Sequence, residues 1–341
     1  MRRSIRCRAV WTAPLEALKV LLPQVEFTYR QMYGRSSRSE TMVWPELVKP
    51  EFVDFVTQAD AVLVFAGSMT GEDTEMFDRR TIELDPVYER VLDAAAEHGK
   101  QVILVLQTGS AVALDRISHA ADAIVEMWLG GEAAGAAVAE VLCGTVNPSG
   151  KLPETFPNGL RRDLDYPGDG RYVEYREKLE VGYRYYDHHP EEICYPFGHG
   201  LSYTTFAYAA LQVTQTETGW QVSFRLKNTG TCDGAEVVQL YVSDPVSIVP
   251  KPVKELKRFQ KVFLQAGEER EVVLELTEDD LAYYNVSLHQ WTVENGLYRL
   301  LIGASSQDIR LEAEIEHDGP MAYSIRKKGD AMVGDTSACF G

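Results

Sequence analysis

The sequence predicts two domains of different class. The first is α/β, a mostly parallel sheet flanked by helices, and the second is an antiparallel β-sandwich. Three observations predict this. The chain has 341 residues, more than one ordinary domain needs and about right for two. Its first half alternates short apolar runs with segments whose apolar residues recur at helical spacing. From Ala207 onward the pattern changes to period two, with turn signals between most runs.

Pro14 to Leu22 (PLEALKVLL) predicts a helix, and Val25 to Tyr29 (VEFTY) then reads as a strand. Gly34 to Glu40 is a polar loop. Pro50 to Gln58 is a short amphipathic helix leading into Ala61 to Ala66 (AVLVFA), an apolar run of strand length. Asp85 and Pro86 suit the N-cap and first position of the next helix. Val87, Val91, Leu92 and Ala95 give that helix one apolar face, and Gly99 supplies the stop. Gln101 to Gln107 (QVILVLQ) is nearly all apolar, as parallel strands covered on both faces tend to be. After a turn at Thr108-Gly109-Ser110, a short helix is predicted around Ala111 to His119 and a strand over Asp122 to Trp128 (DAIVEMW). Glu132 to Cys143 is a helix rich in Ala and Gly, and its Gly135 and Ala139 permit close approach of a neighbour. It is short and carries Glu132 and Glu140, which excludes a membrane dimerisation motif. Gly130-Gly131 lacks the Lys-Ser/Thr pair and the GxGxxG spacing of phosphate loops, so packing explains it.

Between the strand at Ala61 and the helix at Asp85 lies Gly71 to Arg80 (GEDTEMFDRR). It follows a strand in an α/β pattern, at the end where such folds place ligands. Glu72, Asp73, Glu75 and Asp78 crowd beside Arg79 and Arg80. Composition alone makes this a solvated acidic turn. The alternative is a general acid/base whose ionisation the neighbouring charges tune.

Asn147 to Phe156 is full of breakers and reads as an ordered surface loop. Leu160 to Glu180 is polar and charged, and the aromatic runs Val181 to Asp187 and Tyr195 to Phe206 suggest a packed connector. His188, His189 and His199 invite a metal reading, but no carboxylate or Cys stands at ligand spacing beside His188-His189-Pro190, so turn residues are expected. Trp220 to Asn228 alternates, Asn228-Thr229-Gly230 turns, and Ala235 to Ser243 alternates again. Glu255 to Leu264, Glu271 to Leu276, Gln290 to Val293, Leu297 to Ile302 and Ile309 to Ile315 complete a set of short strands. That set fits a sandwich of roughly 100 residues, of immunoglobulin or fibronectin III type. No Cys-Trp-Cys spacing supports a true immunoglobulin domain, and the domain reads as a spacer or docking module. The expected divisions are 1–160 for the α/β domain, 161–206 for the connector, 207–316 for the sandwich and 317–341 for a tail.

Lys plus Arg number 34 and Asp plus Glu 51, for a net charge of -17. No basic face for nucleic acid is visible. The five cysteines are odd in number and widely spaced, with no CxxC, so reduced thiols are expected and neither a disulfide framework nor a zinc site. The start, MRRSIRCRAVWTAPLEAL, has no apolar run of signal-peptide length, and no stretch approaches the roughly 18 apolar residues of a membrane helix. A cytoplasmic location without a membrane partner is the expectation.

Longer motifs carry a resemblance. WLGGEAAGAAVAEVLCGTVNPSGKLPETFP, VGYRYYD and YPFGHGLSYTTFAY resemble the end of the α/β sandwich domain and the connector of glycoside hydrolase family 3, the β-glucosidase and β-xylosidase family. NTGTCDGAEVVQLYV, PVKELKRFQKVFLQAGE and WTVENGLYRLLIGASSQDIRL resemble its fibronectin III-like domain. The resemblance runs from roughly Thr12 to Leu311. It implies an α/β sandwich followed by an antiparallel β-sandwich of fibronectin III type.

It also implies a catalytic acid/base Glu on a loop of the α/β domain, often three residues before an Asp-Arg pair in a Glu-Gly-x-Asp-Arg pattern. Glu75 stands three before Asp78-Arg79, so the role falls on Glu75. Met76 replaces the usual Gly, and Glu72, which follows Gly71, is the rival. Asp78 and Arg79 become substrate-binding candidates, and no cofactor is expected. The family's retaining mechanism needs a second carboxyl, the nucleophile, about 5–5.5 Å away. In the family it is an Asp on a separate TIM barrel, in a Ser-Asp-Trp context. The one Ser-Asp here, Ser243-Asp244, precedes Pro245 and ends a sandwich strand. The residues before Thr12 are too few for a barrel of about 250 residues, and the first strand of the α/β domain is expected to be missing or replaced. The resemblance thus implies a component of an enzyme that hydrolyses terminal β-linked glucosides or xylosides. It would meet its nucleophile on a separate TIM-barrel chain, in a homo-oligomer, or on the rest of a longer gene product. The alternative is a non-catalytic carbohydrate-binding or interaction module.

Overall fold

The structure is a computed structural model and describes residues 13–30, 50–67, 81–159, 172 and 174–319. The chain divides between Tyr203 and Thr204 into two compact units.

The first unit is built on a parallel sheet ordered β1 (Ala61–Gly67), β2 (Gln101–Gln107), β3 (Ala123–Glu126). Ala61 lies opposite Gln101 and Gly67 opposite Gln107; Ile103 lies opposite Ala123 and Leu106 opposite Glu126. β2 takes the centre because its residues tolerate cover on both faces, and Val102, Leu104, Val105 and Leu106 are fully buried. Helices α1 (Pro14–Leu21), α2 (Pro50–Thr57), α3 (Pro86–Glu97) and α4 (Ala134–Leu142) accompany the sheet.

The apolar face of α3 buries Val87, Val91, Leu92 and Ala95, all but Val87 within the same core as the sheet. Asp85 starts this helix by accepting the Val87 amide on Oδ1 at 2.8 Å. Gly99 ends it with φ +66°, where the Lys100 amide donates to Ala95 and the Gly99 amide to Ala96. Asp85→Ala is expected to cost about 1 kcal/mol, read as a lower urea midpoint; an unmoved midpoint would count against the cap.

The small residues of α4 serve close packing. Ala139, fully buried, shares a cluster with Ala17 and Leu18 of α1. Phe27 packs on the same cluster, but Val25 to Tyr29 form no strand, contrary to the alternation of their side chains. Val25 and Tyr29 are exposed, and no described strand pairs with this segment. The expected helix at Ala111 to His119 is also absent. Ala113 forms a parallel bridge with Glu83, and its amide donates to Ile82 at 2.8 Å, which holds the backbone extended there. Turns follow, and then a 3-10 turn at Ser118–Ala120. The apolar density that suggested a helix is core lining instead: Val112, Leu114, Ile117 and Ala120 are buried.

Asn147 to Phe156 is ordered by the aromatic segment that follows. β4 (Phe156–Pro157) pairs with β5 (Ile193–Tyr195), and the short helix α5 (Tyr183–Tyr186) precedes that strand. The Leu152 amide donates to His199 and the Gly198 amide to Leu152, both at 2.8 Å. Asn147 Oδ1 accepts from Ser202 Oγ and the Tyr203 amide, and Tyr203 Oη donates to Val141. Gly200 crosses Gly150 so closely that a Cβ would lie 2.1 Å from the Gly150 oxygen, which requires glycine.

The second unit is a β-sandwich. One sheet runs β10 (Glu269–Thr277), β7 (Gly219–Asn228), β6 (Phe206–Thr216); the other runs β14 (Ile309–His317), β13 (Gly296–Gly303), β8 (Gly234–Ser243), β9 (Glu255–Leu264). A short hairpin, β11 (Tyr283–Asn285) and β12 (Gln290–Thr292), stands beside them. Period two directs Val222, Phe224 and Leu226 of β7, Val238 and Leu240 of β8, and Leu300 and Ile302 of β13 into one core. The sequence pattern does not single out β6 or β11. β6 is an edge strand with a register shift between Ala209 and Gln212, and Ala210 there has φ +55°. Cys143, Cys194 and Cys232 are free thiols. No helix among the described residues is long and apolar enough to cross a membrane.

Candidate functional site

The carboxyl ends of the three parallel strands form one edge, and the segment that carries the sequence-derived site leaves from it. β1 ends at Gly67, whose missing side chain matters: a Cβ would sit 2.6 Å from the Gln107 oxygen. The chain is next described at Thr81. Glu72, Glu75, Asp78 and Arg79 therefore lie outside the described residues.

The described part of the edge holds a polar cluster that the sequence reading did not single out. Glu126, the last residue of β3, accepts the Thr108 hydroxyl on Oε2 at 3.1 Å and the Trp128 amide on Oε1 at 2.7 Å. Thr108 follows β2 and is fully buried. Burial pushes the Glu126 carboxyl above the usual carboxylate range; the Trp128 amide and the Thr108 hydroxyl and amide pull it down, and the charge of Glu154 pushes it further up. Glu154 Oε1 accepts the Ala111 amide at 2.7 Å. Trp128 has φ +52°, a left-handed conformation rare for a bulky side chain, and its ring meets Phe156 edge-on with centroids 5.9 Å apart. Gly130 is pressed against α4, where a Cβ would lie 2.8 Å from that of Ala134. One signal could have found this cluster: Glu126 is the single charge inside the strand pattern AIVEMW, placed where a parallel strand ends.

A second grouping corrects the histidine reading. Glu191 and Glu192 do come within reach of His189, and the ligand-type atoms of the three lie within 4.8 Å of one another. The sequence spacing hid this because a 3-10 turn at Pro190–Glu192 folds the carboxylates back. Tyr185 stacks on the His189 ring and donates to both Glu192 oxygens, at 3.0 and 3.1 Å. Glu191 and Glu192 approach His189 Nδ1 at 3.6 and 4.0 Å, and all three side chains are partly or largely solvent-exposed, so the arrangement works as a turn lock.

Comparison with known proteins assigns the architecture. The profile of the glycosyl hydrolase family 3 C-terminal domain matches residues 6–203, and that of a fibronectin type III-like domain matches 236–306. The chain belongs to glycosyl hydrolase family 3. Among family 3 relatives, thermostable beta-glucosidase B of Acetivibrio thermocellus is 41% identical over 318 residues, 90% of this chain and 42% of that protein. Exo-alpha-(1->6)-L-arabinopyranosidase of Bifidobacterium longum is 37% identical over 276 residues, 80% of this chain and 36% of that protein. The crystal structure of a family 3 beta-glucosidase of Bifidobacterium adolescentis superimposes with a TM-score of 0.84 at 34% identity, over 94% of this chain and 47% of that one. This chain thus spans less than half the length of these family 3 relatives.

Proposed function

We propose that this chain supplies the acid/base side of a retaining β-glycosidase active site. Glu75 donates a proton to the leaving oxygen of a terminal β-linked glucoside or xyloside and then takes one from water. Glu72 is the rival for that role, and Asp78 and Arg79 lie against substrate. The nucleophilic carboxylate comes from outside these 341 residues, on the same or on a separate polypeptide. The observation that carries the reading is family membership, combined with the start of GEDTEMFDRR at Gly71, shortly after the parallel strand β1 ends at Gly67. The relatives include both beta-glucosidases and an exo-alpha-(1->6)-L-arabinopyranosidase.

The test uses the purified 341-residue chain and a chimera in which it replaces the matching segment of thermostable beta-glucosidase B. The chain alone is expected to leave p-nitrophenyl β-D-glucoside intact, and the chimera to hydrolyse it. Turnover by the chain alone, lost in Glu75→Gln, would overturn the outside nucleophile. Sugar binding in calorimetry with no turnover by the chimera would favour a non-catalytic carbohydrate-binding module instead.

A further inference from the structure

We propose that Glu126 is a positioning residue of the carboxyl edge, fixing Trp128 in its left-handed backbone conformation and tying the end of β2 to the end of β3 through Thr108. The clamp itself stands on geometry; its importance for turnover rests on the functional reading above.

A tryptophan holds φ +52° when its surroundings over-determine it. Four contacts do so here. The Glu126 carboxylate accepts the Trp128 amide at 2.7 Å. The preceding Met127 amide continues the ladder to Leu106 at 2.9 Å. The indole packs edge-on against Phe156. Two residues on, Gly130 is wedged between Ala134 and the Met127 carbonyl, with no room for a side chain. The carboxylate is the one charged member of this set. A charge-assisted acceptor holds an amide more strongly than a neutral one, and two oxygens let one group serve both Trp128 and Thr108.

Keeping that group charged opposes stability. Burial and the facing Glu154 carboxylate both disfavour the ionised form. Glu154 is the charged group acting on it among the described residues; the other partners, Thr108 and Trp128, are neutral donors. The sign follows directly. The folded state holds the Glu126 proton more tightly than the unfolded chain does, so this contribution to stability is full below the ordinary Glu value and is lost as pH rises through the raised folded value. A costly, partly desolvated carboxylate at a strand end is the pattern expected of a functional position.

The test is a pH titration of the 341-residue chain with 15N-labelled tryptophan, followed by thermal melts. The Trp128 backbone amide is expected to shift with a midpoint above the ordinary Glu range and to stop titrating in Glu126→Gln. Glu154→Gln, which removes the opposing charge, is expected to lower the midpoint; it keeps the test decisive if Glu126→Gln folds poorly. Glu126→Gln is expected to melt higher than the parent at pH 8, with the difference closing toward pH 4. A Trp128 amide that still titrates in Glu126→Gln, or a midpoint that Glu154→Gln leaves unchanged, would overturn the clamp. In the chimera, Glu126→Gln is expected to lower kcat with little change in KM. If the parent chimera is itself inactive, the functional reading fails while the titration still decides the clamp.

Discussion

Glu75→Gln is expected to lower kcat for p-nitrophenyl β-D-glucoside by about 10²–10⁴-fold in the chimera. Gln keeps the size and polarity of Glu but carries no transferable proton, so substrate binding survives and proton donation does not. The limb of the pH profile that reports the acid should vanish with it. Glu72→Gln is expected to stay within a few-fold of the parent. This division follows the family motif, in which the acid/base stands three residues before an Asp-Arg pair, as Glu75 does before Asp78-Arg79. Reversal of the two effects would move the role to Glu72.

Asn228→Ala is expected to destabilise the second unit by roughly 3 kcal/mol, through several buried groups losing partners at once. Asn228 ends β7 and is fully buried. Its Oδ1 accepts the Thr204 hydroxyl at 2.6 Å and the Gly230 amide at 3.1 Å. Its Nδ2 donates to the Cys232 carbonyl at 2.9 Å and the Leu264 carbonyl at 3.2 Å. Thr204, the 230–232 turn and Leu264 thus converge on one side chain, and the Asn228 amide and carbonyl join Glu268 and Gly267. Asn228→Asp should destabilise the unit as well, because the oxygen that replaces Nδ2 would face the Cys232 and Leu264 carbonyls with no proton to donate. Urea unfolding followed by circular dichroism measures the loss, and a change below about 1 kcal/mol would show that water replaces these bonds.

The elements that read correctly are those in which one local signal suffices. Asp85-Pro86 with four apolar residues at helical spacing gave α3 and its buried face. QVILVLQ gave a central parallel strand, and strict alternation gave β7 to β9 and β13. The misreadings come where a distant partner decides. Val25 to Tyr29 alternates like a strand, but no described strand pairs with it. Ala111 to His119 has a helix-like composition, yet a backbone bond from Ala113 to Ile82 commits it elsewhere. Asn228 reads as a turn residue, and two of its four side-chain bonds reach 24 residues back and 36 residues ahead, beyond any local pattern. The site divides the same way. Glu75 rests on its spacing to Asp78-Arg79 within the family motif and lies outside the described residues, whereas Glu126 looks like one residue in a strand until Thr108 and Trp128 close on it.

The most direct measurement of the central claim, that the acid/base of a family 3 glycosidase resides in Gly71 to Arg80, is the dependence of chimera kcat/KM on the leaving group, because kcat/KM reports the step in which the leaving oxygen departs. An acid is needed most when the departing oxygen is a poor leaving group and least when it is 2,4-dinitrophenolate. Glu75→Gln is expected to lower kcat/KM for methyl β-D-glucoside far more than for 2,4-dinitrophenyl β-D-glucoside, while Glu72→Gln lowers both equally and slightly. Equal loss on both substrates in Glu75→Gln, with the selective loss in neither variant, would contradict the claim.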